Sequence, residues 1–366
     1  MLFAAREVTR PDPTPSASPS PAAPRAVTTA IFGTELRRGR DALVWVNLLV
    51  EGADGDAAIG YLPARTAAEV PGRGLQGVAG AYGSGGVALA LVTLENLLGI
   101  GIDHYVELSA SDARALLAQV EPLTVDVPDE VRVPAGESRE RIIFSRGSQS
   151  LPATFLARLL YTLGSDGDDI SLGARHIAFW SALLDAFEDD PGSLARAIVE
   201  GGGALGKSDR GPGELAATFE ALAAVGRSEV VLRTLSVTPL EVPGSELYVA
   251  EEEEIETFVT DVVGEGAGPL TQARVQILNG NGVPGIGQEV ATRLVGEGFR
   301  VILSGNARRL DHERTLIIAY DTTDETKALV ERAVELLGVG RVQISTQDQG
   351  IVDLTIVVGK DFLRTR

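Results

Sequence analysis

The chain lacks cysteine and contains only three histidines. It therefore has no disulfide, no thiolate ligand for zinc and no thiol nucleophile. The histidines, His104, His176 and His312, are far apart in the sequence, which argues against a His-rich metal site. Long apolar runs are missing as well, because no stretch reaches the roughly 20 consecutive apolar residues of a membrane-spanning helix. The opening residues are too short for the apolar core of a signal peptide.

Basic residues are also in short supply. Lys and Arg number 32 against 51 Asp and Glu, which gives a formal net charge of -19. Binding to nucleic acid requires clustered positive charge, so this composition excludes a nucleic-acid partner. We interpret the acidic surplus as a source of solubility. Because 44% of the 366 residues are hydrophobic, the chain can form a substantial core, and its length suits two domains.

The first 25 residues differ in composition from the rest. Thr9–Arg25 is rich in Pro, Ala and Ser and has almost no large apolar side chain. Such a segment cannot bury enough surface to offset its ordering entropy, so residues 1–25 are predicted to be a disordered spacer. A Gly-rich stretch further on predicts a linker between two domains. The predicted division is a first domain at 26–263, a linker at 264–270 and a second domain at 271–366.

Helix and strand patterns alternate most clearly between Gly85 and Pro128. Apolar residues recur at helical spacing in Val87–Leu98, and Gly99 ends that helix. An apolar strand follows at Ile102–Leu108, then a helix at Ser111–Val120 and a strand at Leu123–Val127. This alternation indicates a sheet covered by helices, so the predicted fold class is α/β.

Leu43–Val50 is a short apolar run that is typical of a buried central strand. After a turn, Ala57–Leu62 is predicted to be its hairpin partner. The other predicted elements of the first domain are helices at Ser150–Leu163, Ser171–Phe187, Pro191–Val199 and Pro212–Val225, a strand at Glu229–Leu240 and an acidic helix that begins at Glu251.

The second domain has the pattern of a small two-layer α/β module. Its predicted strands are Ala273–Leu278, Arg300–Leu303, Thr315–Tyr320 and Asp353–Val358, and its predicted helices are Ile286–Gly296 and Asp324–Leu337.

Four glycines, Gly280, Gly282, Gly285 and Gly287, lie between the first strand and helix of this module. Glycines in such a loop let a backbone approach a pyrophosphate at a helix N-terminus. Pro284 interrupts the loop, however, and no acidic residue closes a second strand at the required distance. A tight turn with exposed residues at 279–281 is therefore favoured over nucleotide binding.

The stretch 85–128, together with VQILNGNGVPGIGQEVATRLVGEGFRV in the second domain, resembles the LytR–CpsA–Psr family followed by its LytR-type C-terminal domain. The resemblance implies a layered α-β-α domain with a mixed central sheet, then a small two-layer α/β domain. It also implies an extracytoplasmic protein of a Gram-positive, actinobacterial cell envelope. Such a protein would transfer a polyprenyl-pyrophosphate-linked glycopolymer to peptidoglycan or another wall polymer. An anchor missing from this sequence, or encoded upstream of it, would attach it to the membrane.

Asp41 matches an aspartate that the family associates with a divalent cation, so the resemblance implies Mg²⁺ there. An exposed carboxylate at the start of a strand is an equal alternative. In LPARTAAEV the family has Ile-Pro-Arg-Asp-Thr, but here Ala64 takes the place of the arginine and Arg65 that of the aspartate. Neighbouring strand residues point to opposite faces, so Arg65 can replace the arginine only if the loop shifts its register.

The remaining family runs are partly kept. Tyr82 matches the tyrosine of an Ala-Tyr-x-x-Gly-Gly run, although a lysine and an asparagine before it are replaced by small residues. Tyr161 is kept, but the two arginines expected after it are not, and Arg175 matches the second arginine of a family helix. The resemblance thus implies catalytic roles for Arg175 and Arg65 and ligand contacts from Tyr82 and Tyr161.

Two further features bear on a ligand. Asp166, Asp168 and Asp169 form a carboxylate-rich loop that could hold a cation, although a solvated polar turn is the favoured interpretation. The family holds the polyprenyl tail between the sheet and its helices. Ordinary core packing explains the same apolar faces without a lipid. The segments expected to line such a tunnel are Leu89–Leu98, Phe155–Leu163 and Ile177–Leu184.

Scaffold residues persist in this sequence while most of the cationic phosphate contacts are missing, so transfer activity is expected to be weak or lost. The first hypothesis is a protein that binds a polyprenyl-linked glycopolymer with reduced phosphotransferase activity. The second is a non-catalytic scaffold that modulates active relatives. The third, a cytosolic nucleotide-binding enzyme, depends on the glycine loop alone.

Overall fold

The computed structural model describes residues 26–136, 139–165, 167–201, 206–264, 273–295, 297–345 and 352–365. The predicted spacer at 1–25 and all of the predicted linker except Gly264 lie outside these residues. Both therefore remain predictions.

The first domain contains thirteen strands and seven helices among the described residues. In chain order they are β1 (Val27–Arg37), β2 (Arg40–Glu51), β3 (Ala57–Pro63), β4 (Ala67–Val70), β5 (Gly74–Gly77), α1 (Val78–Leu98), β6 (His104–Ser109), α2 (Ala110–Leu117), β7 (Leu123–Val127), β8 (Val131–Pro134), β9 (Glu140–Phe144), β10 (Gly147–Leu151), α3 (Ala153–Tyr161), α4 (Asp169–Phe187), α5 (Pro191–Glu200), α6 (Pro212–Val225), β11 (Val231–Thr234), β12 (Thr238–Pro239), β13 (Tyr248–Val249) and α7 (Glu252–Val263).

A five-stranded mixed sheet lies at the centre of this domain, in the order β11-β3-β2-β1-β6. β1, β2 and β3 pair antiparallel, whereas β6 joins β1 and β11 joins β3 in parallel. The central strand is β2, and its run Leu43–Val50 is buried throughout. The predicted buried strand and its hairpin with β3 are therefore confirmed.

β1 is a strand that the sequence-based prediction omits. It is joined to β2 by a tight turn in which Arg38 and Gly39 both have positive φ, 51° and 78°. Two-residue turns of this kind match the right-handed twist of the two strands that they connect. The hairpin sets Leu36 opposite Asp41, which places Asp41 at the exposed start of β2.

Helices cover both faces of the sheet, which confirms the layered α-β-α architecture. On one face α2 to α6 pack around Trp45 and Tyr61. On the other face α1 and α7 pack around Val46. Helix α1 is long and apolar enough to cross a membrane, but it contributes Leu94 and Leu98 to this core, so it is a packed helix of the domain.

Two predicted boundaries are wrong for identifiable reasons. The helix predicted at Ser150–Leu163 begins only at Ala153, because β10 continues to Leu151 and Pro152 caps the helix. Proline is well suited to the first positions of a helix but not to its interior. The single strand predicted at Glu229–Leu240 is divided into β11 and β12, with three residues between them.

Helix α1 begins earlier than predicted, at Val78 instead of Val87. It runs through the Gly-rich segment and bends at Gly86, whose φ of 69° is not helical. Glycine adopts such a conformation with little strain, so the helix can change direction there. The first part of α1 carries Tyr82, and the second part packs on the sheet.

The described part of the second domain has the two predicted helices and five strands, one more than the four predicted. Its elements are β14 (Ala273–Asn279), α8 (Ile286–Leu294), β15 (Phe299–Asn306), β16 (Leu316–Ala319), α9 (Asp324–Leu337), β17 (Arg341–Ile344), β18 (Leu354–Val358) and a closing 3-10 helix (Lys360–Arg364). The strand that the prediction omits is β17. The strand order is β15-β14-β18-β16-β17, and the helices α8 and α9 contact one another and pack on the sheet core.

Asn96 on α1 connects the two domains. Its side-chain nitrogen donates to the Val301 carbonyl (2.8 Å), and its side-chain oxygen accepts from the Val301 amide (2.6 Å). Val301 lies on β15, an edge strand of the second sheet, so Asn96 satisfies backbone groups in the way that a neighbouring strand would. Ser304 on the same strand donates to Glu69 on β4. The described contacts therefore pack the edge strand β15 against the first domain.

Replacing Asn96 by Leu should leave both Val301 backbone groups without their partner. Each buried polar group left unsatisfied lowers the free energy of unfolding by roughly 1–3 kcal/mol. The change is measured by urea unfolding and by faster hydrogen exchange at the Val301 amide. Asn306→Leu, at the exposed end of β15, is the matched control and should change stability by less than about 0.5 kcal/mol. Equal behaviour of the two variants would contradict the role of Asn96.

Candidate functional site

Arg65 lies in the turn between β3 and β4, next to the first residue of α4. Its backbone amide donates to Asp169 Oδ2 (3.1 Å) and its Nε to Asp169 Oδ1 (3.0 Å), with Nη2 2.8 Å from the same oxygen. The guanidinium also donates to the Tyr248 hydroxyl (3.0 Å) and to the Gly167 carbonyl. The Asp169 side chain is only 2% exposed. Arg65 is therefore held in a buried ion pair.

The catalytic role predicted for Arg65 remains a prediction, and this geometry shows that its guanidinium already has a carboxylate partner. The Arg65 side chain is 25% exposed, and its Nη1 lies 3.8 Å from the exposed Glu246. A phosphate at this guanidinium would therefore compete with carboxylates that already pair with it. Burial raises the pKa of the Asp169 carboxyl, and the hydrogen bonds from Arg65 oppose that shift. The two residues are 104 positions apart, so the exchange of residues in the LPARTAAEV run does not reveal the pair.

Asp168 is the N-cap of α4. Its carboxylate accepts from the Ile170 amide (2.9 Å) and the Ser171 amide (3.3 Å), and it also receives the Tyr248 hydroxyl (3.1 Å). These bonds lower the pKa of Asp168 below its usual range, although burial acts in the opposite direction. Asp168 and Asp169 thus have protein partners, which supports a structural turn over a cation loop. The third carboxylate, Asp166, lies outside the described residues.

Arg175 is buried, with 1% of its side chain exposed. Its Nη1 donates to the Thr162 carbonyl (2.7 Å), and its Nε donates to the Ser171 carbonyl (3.3 Å). Asp129 approaches to 3.9 Å. Thr162 is the residue that ends α3, so Arg175 satisfies a carbonyl that the helix leaves without a partner. These bonds give Arg175 a structural role in joining α3 to α4. Arg175 also lines a polar pocket together with Asp129 and Ser171, and its predicted catalytic contact with a pyrophosphate remains a prediction.

Asp41 and Tyr82 are brought to the same side of the sheet. Tyr82 is buried on α1 and hydrogen-bonds Glu107 on β6. Burial, and then the negative charges of Glu107 and Asp41, raise the pKa of Tyr82 well above its usual value. The Lys207 ammonium lies 3.1 Å from Glu107. Glu107 lies within the stretch 85–128 that resembles the family, but nothing local marks it as a site residue. Lys207 carries no local sequence signal either, so sequence reasoning missed both.

The predicted Mg²⁺ at Asp41 was tested against these neighbours. Mg²⁺ requires several oxygen ligands around one position. Across the described part of the chain, no group of three or more His, Cys, Asp or Glu residues is placed to hold a metal ion. Beside Asp41 the partner charges are Glu107 and the cation Lys207. The described side chains around Asp41 therefore include a competing cation, Lys207, and do not by themselves form a full ligand set for a divalent ion. The predicted Mg²⁺ remains a prediction.

An apolar cavity of about 60 Å³ lies on the other face of the sheet, between the sheet and helices α2 to α6. Trp45 on β2, Leu117 on α2, Phe179 and Trp180 on α4 and Ile198 on α5 are among its walls. Apolar cavities remain dry and can accept apolar ligands. The fold thus provides an apolar space in the layer where a lipid tail was expected.

The predicted lining of this space is partly right. Residues of Phe155–Leu163 and Ile177–Leu184 contribute to the walls. Leu89–Leu98 does not, because these residues of α1 pack on the opposite face of the sheet or lie at the contact with the second domain. Tyr161 packs edge-on against Trp45, with ring centroids 5.3 Å apart, and its hydroxyl donates to the Leu108 carbonyl (2.6 Å). These contacts hold Tyr161 against the sheet, and its predicted contact with a ligand remains a prediction.

A polar cluster at the cavity wall joins the sheet to α4. Asn47 Oδ1 accepts from Trp180 Nε1 (3.2 Å) and lies 2.9 Å from His176 Nδ1, while His176 Nε2 lies 3.1 Å from the Leu160 carbonyl. Burial lowers the pKa of His176 to about 3. The contact with the Leu160 carbonyl raises this pKa, and the positive charge of Arg175 lowers it. His176 therefore stays neutral in the folded protein.

Because His176 is buried in its neutral form, the folded protein should lose stability as the pH falls. Its folded pKa of about 3 lies below the ordinary value of 6.5, so the unfolded chain takes up the proton first. The resulting loss begins below the ordinary pKa and reaches about 2 kcal/mol at pH 5. His176→Gln should flatten the slope of unfolding free energy against pH between 5 and 6.5. Parallel slopes for the two proteins would contradict the assignment.

The glycine loop of the second domain folds back on itself. Asn279 Oδ1 accepts from the amides of Asn281 (3.2 Å) and Gly282 (2.8 Å), and Asn281 Nδ2 donates to the Gly359 carbonyl (3.0 Å). A Cβ at Gly280 would come within 2.9 Å of the Val358 carbonyl oxygen. The glycine therefore permits close packing of backbone, and the tight-turn prediction is supported. The predicted exposure is wrong, because Asn281 is buried.

Comparisons with known proteins agree with this architecture. B. subtilis TagV is 16% identical with a TM-score of 0.53 and covers 64% of this chain and 94% of its own. TagT bound to LI-WTA is 15% identical with a TM-score of 0.52 and covers 68% and 94%. A LytR-Csp2A-Psr enzyme from Actinomyces oris is 18% identical with a TM-score of 0.52 and covers 68% and 93%. A search among curated protein sequences gives no match.

Two family profiles match the chain in succession. The profile of the LytR cell envelope-related transcriptional attenuator matches residues 272–362, which form the second domain. The profile of the LytR_cpsA_psr family matches residues 41–261, which is more than half of the chain and spans the central sheet and its helices. The chain therefore belongs to the LytR–CpsA–Psr family and carries a LytR-type C-terminal domain.

Proposed function

We propose that this protein binds a polyprenyl-linked glycopolymer in the cell envelope, outside the cytoplasm, and that its transfer to peptidoglycan or another wall polymer is reduced or lost. The apolar cavity between the sheet and α2 to α6 carries this proposal, because it lies inside a domain of this family. TagT, which has the same fold, is bound to LI-WTA. The net charge of -19 is consistent with a partner other than nucleic acid.

The cavity is small in the described structure. Its volume of about 60 Å³ is less than half of the roughly 150 Å³ that holds a benzene molecule in an engineered apolar cavity. A polyprenyl tail is much larger than benzene, so binding requires the helices on this face to move. Ala113 and Leu117 on α2 and Leu194 and Ile198 on α5 form part of the helical wall. Lipid binding is therefore coupled to opening of this layer.

Reduced transfer follows from the positions of the two predicted arginines. Phosphoryl transfer depends on positive groups that are aimed at the phosphates before the reaction. Here Arg65 is paired with Asp169, and Arg175 binds helix carbonyls. Loss of one preorganised contact reduces turnover roughly a hundred-fold or more. The same observation favours the second candidate function, a non-catalytic scaffold that binds the carrier and modulates active relatives.

Filling the cavity should block lipid binding. Ala113 is 1% exposed and lines the cavity from α2. Ala113→Leu adds three carbons to this space and should weaken binding of a fluorescent polyprenyl phosphate by roughly tenfold or more, because displaced apolar contacts are worth about 0.8 kcal/mol per CH₂. Ala115→Leu, on the exposed side of the same helix, is the control and should bind as the natural protein does. Unchanged binding by Ala113→Leu would place the lipid elsewhere.

Turnover separates the two candidate functions. The full chain is incubated with a polyprenyl-pyrophosphate-linked saccharide, and binding and cleavage of the pyrophosphate are followed together. We expect binding with cleavage at least roughly a hundred-fold slower than in a family member that keeps both arginines. Binding without cleavage supports the scaffold, and cleavage at the rate of the reference protein refutes reduced transfer. Arg175→Ala is unsuitable as an inactive control, because it removes the partner of the Thr162 carbonyl.

A further inference from the structure

The segment 206–210 runs antiparallel along the open edge of β6. The Glu107 amide donates to the Lys207 carbonyl (2.7 Å), Ser208 forms a β-bridge with Val106, and the Ser208 hydroxyl donates to the Tyr105 carbonyl (3.0 Å). A Cβ at Gly206 would lie 2.1 Å from the Glu107 carbonyl oxygen, so glycine is required for this close approach. The backbone therefore fixes Lys207 beside Glu107.

Lys207 reaches a site that contains two carboxylates. The Glu107 side chain is only 9% exposed, and it is bound by the Lys207 ammonium (3.1 Å) and by Tyr82. Asp41, at the start of β2, is close enough for its negative charge to act on both Tyr82 and Lys207. Two carboxylates of this kind would suit a divalent cation. The ammonium, however, already provides the positive charge next to Glu107, and it would repel a metal ion bound there.

We propose that Lys207 is the resident cation of the Asp41–Glu107 site, in place of a divalent metal, and that its ammonium contacts the phosphate of a bound carrier. The second part rests on the proposed function, whereas the first part does not. An ammonium has three donors. One of them binds Glu107, and because the side chain is 73% exposed, a phosphate oxygen can reach the ammonium from solvent. Lysine binds phosphate as a point charge, so it needs no bidentate geometry.

This arrangement also explains how a phosphate could be held while Arg65 and Arg175 are bound elsewhere. Glu107 is buried and binds the Lys207 ammonium. The pairing of segment 206–210 with β6 limits the movement of the Lys207 backbone. The site thus has a cation that is part of the chain. Carrier binding by this protein should therefore be independent of divalent metal.

Metal titration tests the first part directly. The full chain is titrated with Mn²⁺, as a probe that can be followed by electron paramagnetic resonance, in its natural form and as Lys207→Met, Lys207→Arg and Lys207→Met/Glu107→Gln. Removing the ammonium should tighten Mn²⁺ binding roughly tenfold or more, because a like charge within a few ångströms of the ion is lost. Lys207→Arg should behave as the natural protein, and the double variant should lose the gain. Equal Mn²⁺ affinity in the natural protein and Lys207→Met would overturn the proposal.

Carrier binding tests the second part. Polyprenyl phosphate and the uncharged polyprenol are compared in EDTA, with thermal melting as a check that each variant is folded. The natural protein should prefer the phosphate, and Lys207→Met should lose most of that preference while its binding of the polyprenol stays unchanged. A preference that persists in Lys207→Met refutes the phosphate contact. If neither compound binds, the proposed function fails, and the Mn²⁺ titration still decides the role of Lys207.

Discussion

Burial of the central sheet on both faces is the constraint on which the first domain depends. The run Leu43–Val50 of β2 is buried at every position, so each face of the sheet must be covered by helices. Helices α2 to α6 enclose the apolar cavity on one face, and α1 brings Tyr82 to the other. Charged residues are consequently found where strands leave the core, as Asp41 does at the start of β2.

Buried polar groups in this domain are satisfied largely by one another. Arg65 pairs with Asp169, Arg175 binds the carbonyl that ends α3, and Asn47 joins the sheet to α4. Buried groups of this kind stabilise one arrangement because the loss of one partner leaves another unsatisfied. The same bonds give both guanidinium groups partners within the protein. Lys207, which is exposed beside the buried Glu107, is an accessible cation near Asp41 and Tyr82.

The contact between the domains satisfies backbone groups at an edge strand of the second sheet. An edge strand presents unpaired amides and carbonyls, and Asn96 satisfies both groups of Val301 with a single side chain. Asn96 lies on α1, the helix that carries Tyr82 in its first part. The bend at Gly86 separates these two parts of the helix.

Local patterns in the sequence were sufficient to predict the α/β class, the buried strand β2, most helices and the division into two family domains. They succeed because burial and helical periodicity are properties of neighbouring residues. The sequence also indicated that cationic phosphate contacts are few. Only the tertiary structure decided that Arg65 pairs with Asp169, 104 positions away, that Arg175 completes α3, and that Lys207 lies beside Glu107. Such pairings depend on how distant elements pack, and side-chain periodicity carries no information about which distant charges will meet.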